Sequence, residues 1–239
     1  MELAGVGLGG GRGAGAVHLA SGDGSGLDRP PSERVWVASR GDRLPSPPLD
    51  RSVRGVILEE PPDGDGPPLR CAAVAGLPAD LFREGESVEI DGDRGSVILD
   101  GVREVRVVTA FLTRDDGRIL LLRRSAQVGS FQGRWAGVSG FLEDPTAEGQ
   151  AYREIAEETG LGTEDVELEV VGRLVYARDG GTVYTIHPFR FRARRTSVRL
   201  DWEHTEAEWV DPTAIGERPT VPNLDRAWRA VAPPRLRKS

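Results

Sequence analysis

The stretch from Pro145 to Gly160 limits what this chain can become more than any other segment. A proline at its head and a glycine at its foot predict a helix over residues 145–159. Asp144 is placed to cap it, Pro145 loses nothing by lacking an N–H in the first turn, and Gly160 supplies the left-handed stop. Glu154, Glu157 and Glu158 stand at i, i+3 and i+4, so their carboxylates share one face. Like charges at that spacing destabilise a helix unless a cation compensates them. A solvated acidic face is the ordinary reading of such a run. A hard divalent cation is the other, because magnesium binds carboxylate oxygens together with phosphate oxygens and retained water. Spacing alone leaves both open. Arg153 adjoins the cluster and is placed to fix one glutamate in a single rotamer.

The chain around this helix is long enough for more than one core. At 239 residues it predicts two compact units of roughly 100 to 130 residues each. The net charge of −7, from 38 acidic and 31 basic residues, offers no broad basic surface and argues against a polymeric nucleic-acid partner. Nearly all positive charge is arginine, Lys238 being the sole lysine. Arginine's planar fork suits phosphate, although genome base composition produces the same bias. The single cysteine, Cys71, excludes an intrachain disulfide and a cysteine-based zinc cluster. The N-terminus lacks a basic segment followed by an apolar core, and no run approaches the roughly 20 apolar residues of a membrane span. A cytoplasmic, soluble protein with no membrane partner is expected.

Composition shifts near Val102 to Glu104, which sets expected domains at residues 1–103 and 104–239. The first is read as β-rich, with short strands at 35–38, 52–58, 87–90 and 95–99, prolines clustered at 45–48, 61–62 and 67–68, and a hairpin turn at 91–95. Gly5 to Gly15 formally contains GxGxxG, but no strand precedes it and a strand follows it, so a glycine-bent loop is the better reading than a nucleotide site. The second domain mixes strands with helices: a hairpin around Asp115, Asp116 and Gly117, a run from Val166 to Arg178 pairing with Thr182 to Arg194, a strand at 207–210 and an apolar helix near Leu224 to Val231.

Residues 1–103 resemble the swivelling phosphohistidine domain of enzymes that handle phosphoenolpyruvate. The likeness rests on the glycine-rich start leading to Gly15, on residues 73–79 and on residues 85–95. That family carries phosphoryl on a histidine just before the Gly-Leu-Pro-like segment; here Leu69, Arg70, Cys71 and Ala72 stand there, and no histidine lies between His18 and His187. The domain is therefore read as a degenerate relative. Cys71, among alanine and valine, reads as a small core residue rather than a nucleophile.

Residues 103–232 resemble a Nudix domain, whose signature is G-x5-E-x7-R-E-U-x-E-E-x-G-U with U aliphatic. Arg153, Glu154, Ile155, Glu157, Glu158, Gly160 and Leu161 match its second half position by position. The first half departs from it. Counting back from Arg153 puts the signature's glutamate on Pro145 and its glycine on Ser139, whereas the evident glycine is Gly140. A one-residue deletion in the loop accounts for this, with Glu143 as the substitute acid. The resemblance implies an α/β class, with a Nudix α/β/α sandwich preceded by the smaller β-rich swivelling-type domain.

It also implies a metal-dependent pyrophosphohydrolase that cleaves a nucleoside diphosphate linked to X by water attack on phosphorus. A non-catalytic nucleotide-sensing module is the alternative. Glu154, Glu157, Glu158 and Gly140 would hold Mg2+, with Mn2+ as a second candidate. Glu157, Glu158 and Arg153 would carry catalysis, and Arg123, Arg124 and Glu143 would meet the substrate. Glu158, Glu203 or Glu206 would serve as base, although residues 201–206 read first as an exposed polar loop. Tyr176, Tyr184 and Trp202 are read as packed strand residues before stacking partners for a base. The oligomeric state stays open, a homodimer included.

Overall fold

A computed structural model describes residues 1–20, 34–39, 53–61 and 71–234. The proline clusters at 45–48 and 67–68, Pro62, Arg70 and Lys238 lie outside the described residues. The chain divides into two compact units, Met1–Glu104 with Arg178–Val183, and Val105–Ala177 with Tyr184–Ser239.

The first unit contains, among the described residues, β1 (Glu2–Ala4), β2 (Val6–Gly7), β3 (Arg12–Leu19), β4 (Arg34–Ala38), β5 (Gly55–Leu58), β6 (Ala72–Ala75), β7 (Ser87–Asp91) and β8 (Ser96–Leu99). They form one sheet in the order β1-β8-β7-β3-β4-β5-β6-β2. From β3 to β6 the neighbours are parallel, and the flanking pairs are antiparallel. The parallel centre explains the composition of β4, β5 and β6. Buried along nearly their whole length, they read as continuous apolar runs, whereas β7 alternates. The turn at 91–95 joins β7 to β8 with Asp91 opposite Ser96. Gly9, Gly10 and Gly11 all have positive φ, and a Cβ at Gly10 would lie 2.0 Å from the Cys71 carbonyl oxygen. The GxGxxG segment is thus a glycine-bent approach to β3. Cys71 packs beside the core of Trp36, Val56, Leu58, Ala73 and Ala75, and burial pushes its thiol up.

The second sheet comprises, among the described residues, β9 (Arg103–Thr113), β10 (Ile119–Arg124), β11 (Trp135–Ala136), β12 (Val138–Phe141), β13 (Val166–Val171), β14 (Val175–Asp179), β15 (Thr182–Ala193) and β16 (His204–Val210), with helices α1 (Ala147–Thr159) and α2 (Leu224–Val231). Alternation along β9 and β10 divides the core between two faces. Val108, Ala110, Leu112, Leu120 and Leu122 pack with Ala151 and Ile155 of α1. Phe111, Ile119 and Leu121 pack with Leu224, Ala227 and Val231 of α2. Each fully buried side chain of this size contributes about 1.5–3 kcal/mol, so both helices are held by their apolar stripes. The result is helix on sheet on helix. Among the described residues no helix is long and apolar enough to cross a membrane.

Two expectations change. Helix α1 starts at Ala147, and its cap is Thr146, whose Oγ1 accepts from the Gly149 N–H at 3.1 Å. Asp144 has a stronger partner in the Arg153 guanidinium, which removes it from capping. The run from 166 to 178 is broken between Val171 and Val175, and both pieces pair with β15. At Gly172 the backbone passes 2.7 Å and 2.9 Å, by the place of a Cβ, from Val231 and Pro188, so a side chain has no room there.

Candidate active site

Ala151, Ile155 and Glu158, at i, i+4 and i+7, lie on the buried face of α1 with Gln150 and Thr159. A carboxylate therefore stands on the core-facing side of the helix, with its side chain only 3% exposed. Both Glu158 oxygens lie near the Ser139 N–H, at 3.3 Å and 3.4 Å. Burial, and then the charge of Glu154, push Glu158 well above the usual carboxylate range; the Ser139 N–H opposes this, and Asp201 and Glu203 add to it. Glu154 is half-buried and also raised, first by burial and further by Glu157 and Glu203, against a hydrogen bond from Gln150. Glu157 is exposed. The shared face thus runs from solvent to core. No basic residue stands in the last turn of α1, where the helix dipole also disfavours anions.

Strand β12 lies beside this helix, pairing Ser139 and Gly140 with Thr109 and Val108 of β9. A Cβ at Gly140 would sit 1.8 Å from Glu154 Oε1, so only glycine leaves that carboxylate its place. Between them opens a cleft of about 250 Å³. One edge is acidic, with Glu143, Glu154, Glu157 and Glu203. The walls are apolar, with Phe131, Tyr184, Ile186 and Val221, and the Phe131 and Tyr184 rings stand 6.0 Å apart between centroids. Arg124 is the basic residue of the lining, its Nε donating to the Ser130 carbonyl at 3.0 Å.

Of the residues singled out from sequence, Gly140, Glu143, Glu154, Glu157, Arg124 and Glu203 line this cleft, and Glu158 stands directly behind it. Arg123 does not. It donates to Glu206 at 2.5 Å and to the Gly133 carbonyl at 3.3 Å, which occupies both residues. Arg153 pairs with Asp144 and not with a helix glutamate, while Glu143 lines the cleft. Residues 201–206 are more than an exposed loop. His204 begins β16 with its side chain 1% exposed, its Nδ1 3.1 Å from Asp201 and its Nε2 3.8 Å from Glu158. Burial lowers the His204 pKa, and Asp201 opposes that. Tyr176 is buried and Tyr184 half-buried, but Trp202 is 60% exposed because it lies in the turn before β16.

Sequence reading missed Gln150 and His204. Gln150 is buried, and its Nε2 donates to Glu154 Oε1 at 2.7 Å. The signal was the spacing of 150, 154 and 158, three polar residues four apart on a helix. His204 had no local signal, since the strand was read at 207–210 and the structure starts it at His204.

The donor set is all carboxylate oxygen, the chemistry of a hard cation such as Mg2+. Among the described residues no group of three or more His, Cys, Asp or Glu side chains is placed to hold a metal ion by itself. Magnesium does not require such a group, since it keeps several waters and takes one or two carboxylates plus substrate phosphate. The carboxylates of Glu143, Glu154, Glu157 and Glu203 gathered along one cleft edge fit such an ion.

A family model for the NUDIX domain matches residues 103–231. Among solved structures, a MutT protein from Methanosarcina mazei is 24% identical, covers 55% of this chain and 97% of its own, and gives a TM-score of 0.46. A C. elegans Ap4A hydrolase binary complex is 18% identical, with 53% and 93% covered and a TM-score of 0.46. The NUDIX domain of Shewanella oneidensis NrtR complexed with ADP ribose is 20% identical, with 53% and 86% covered and a TM-score of 0.42. No curated protein matches the chain.

Proposed function

The chain belongs to the Nudix family, a hydrolase family acting on pyrophosphate-containing substrates, and on that premise we propose a metal-dependent, cytoplasmic pyrophosphohydrolase that cleaves a nucleoside diphosphate linked to a further group X. The observation that carries the reading is the acidic edge of the cleft, with Glu143, Glu154, Glu157 and Glu203 along it and the buried Glu158 behind it. Glu154, Glu157 and Glu158 would hold Mg2+ together with substrate phosphate oxygens and retained water. When bound, that ion supplies neutralisation of phosphate oxygens and a water of lowered pKa.

The remaining work falls to side chains of this chain. Arg124 meets a phosphate oxygen from the cleft lining. Phe131 and Tyr184 take the base or another flat group against their faces. Glu203 lines the cleft and faces both Glu154 and Glu158 electrostatically, which favours it over Glu206 as the base. A water oxygen forms the new bond to phosphorus, the bridging P–O bond breaks, and the water's proton passes to the Glu203 carboxylate. Residues 1–103 are proposed to be a degenerate swivelling-type domain without phosphocarrier chemistry, and residues 104–239 to carry hydrolysis.

The test is a panel of dinucleoside polyphosphates, nucleotide sugars, ADP-ribose and nucleoside triphosphates incubated with the purified chain and magnesium. Turnover of at least one class is expected, with Glu157→Gln lowering it by about 100-fold or more. Tight binding with no turnover of any compound would replace the proposal by a nucleotide-sensing module.

A further inference from the structure

We infer that Gln150 is a positioning residue that couples the shortened loop before α1 to the rotamer of Glu154, an inference that rests on Glu154 being a cation ligand. Gln150 is 2% exposed, in the second turn of the helix. Its side chain is fully engaged at the acceptor end: Oε1 takes the backbone N–H of Glu143 at 3.0 Å and of Asp144 at 2.9 Å. At the other end Nε2 donates to Glu154 Oε1 at 2.7 Å, one turn further along. An amide is the side chain that accepts twice and donates in one plane. Glu154 Oε1 is therefore gripped by Gln150, with Gly140 against it on the other side.

The chemistry explains why this residue type suits the position. A cation at 150 would neutralise Glu154 and compete with the metal. A carboxylate there would repel it. The amide orients the carboxylate and leaves its negative charge for the ion. The same oxygen that holds the loop amides also fixes the direction of the Glu154 donor, so loop and ligand move together. Asp144 closes the arrangement by pairing with Arg153, which ties the loop to the helix on a second side. These contacts stand where the loop lacks a residue and where Pro145 replaces the expected acid.

Groups that orient metal ligands in this way typically change metal affinity by about 10- to 100-fold when removed. The probe is Mn2+ alone, titrated into the full chain and read as free ion by electron paramagnetic resonance. Wild type is expected to bind, and Glu157→Gln to lose binding. Gln150→Leu, which keeps the volume and removes both ends of the amide, is expected to weaken Mn2+ by about tenfold or more. It should also speed amide exchange at Glu143 and Asp144, read by NMR. At pH 8, Gln150→Glu keeps the acceptor for the loop and replaces the donor by an anion; it should preserve loop protection and still weaken Mn2+. Should Gln150→Leu not fold, Gln150→Glu decides. Mn2+ affinity within twofold of wild type in the folded variants overturns the inference while leaving the metal site standing. Wild-type binding that is absent, or unmoved by Glu157→Gln, removes the metal-site reading itself and the inference with it.

Discussion

At Gly140 the constraint is a distance rather than a φ angle. A methyl group there would reach 1.8 Å from Glu154 Oε1, the end of a flexible side chain, so the carboxylate would swing while the backbone stayed. Gly140→Ala should therefore shift the melting temperature by less than about 4 °C yet weaken Mg2+ by about tenfold or more, measured by calorimetric titration. Glu158 makes a second prediction, about pH. Its folded pKa lies well above the ordinary 4.5, so the metal-free protein binds that proton more tightly folded than unfolded. The stabilisation is complete below about 4.5 and is lost as pH rises through the folded value. Metal-free melting temperature should fall across that window, and Mg2+ should restore it most at the high end. Glu158→Gln keeps an acceptor for Ser139 and should flatten the metal-free profile, so a slope as steep as wild type would contradict the assignment. The three glutamates were legible from spacing. Their gradient from solvent to core was not, because it depends on where the sheet meets the helix. Gln150 shared the four-residue spacing of Glu154 and Glu158, but its burial was illegible because a glutamine on a helix reads as solvated until the loop that covers it is in place.

Helix α1 is fastened at both ends by local chemistry. Thr146 supplies the capping oxygen, and Gly160 takes the left-handed conformation at φ 68°. Thr146→Ala and Gly160→Ala should each cost about 1 kcal/mol in urea denaturation, and neither should alter the substrates hydrolysed. Elements with local signals were read well. Helix α2 runs from Leu224 to Val231 as its apolar spacing suggested, and the turns at 91–95 and 115–117 join β7 to β8 and β9 to β10. The errors arose where a distant partner outbid a local one. Asp144 is a good cap by residue type, but Arg153 draws its carboxylate away. The run from 166 to 178 reads as one strand until Pro188 and Val231 fill the space beside Gly172.

Across the whole chain, the two units should respond to pH with opposite signs. In the first, Arg178 is 6% exposed and donates to both Glu86 oxygens, at 2.8 Å and 2.6 Å. Burial alone would raise Glu86, but the hydrogen bonds from Arg178 and the Arg83 N–H outweigh it and hold the carboxyl below its usual range. That stabilisation is present above about 4.5 and is lost as pH falls through the folded value. Arg178→Ala should cost on the order of 3 kcal/mol at neutral pH by leaving Glu86 unpaired. Hydrogen exchange read peptide by peptide should place the acid loss in residues 1–104, and the metal-free loss toward neutral pH in the second unit. Family membership, the mixed α/β class of residues 103–231 and the shared face of Glu154, Glu157 and Glu158 were legible in the sequence alone. The shared face rests on spacing within one helix, which the helical repeat converts into a common side without help from the rest of the chain. Tertiary structure decided which glutamate is buried, which acid answers Arg153 and that Gln150 holds Glu154. The burial of these groups depends on strands and loops brought over the helix, where burial changes the strength of every charge and hydrogen bond.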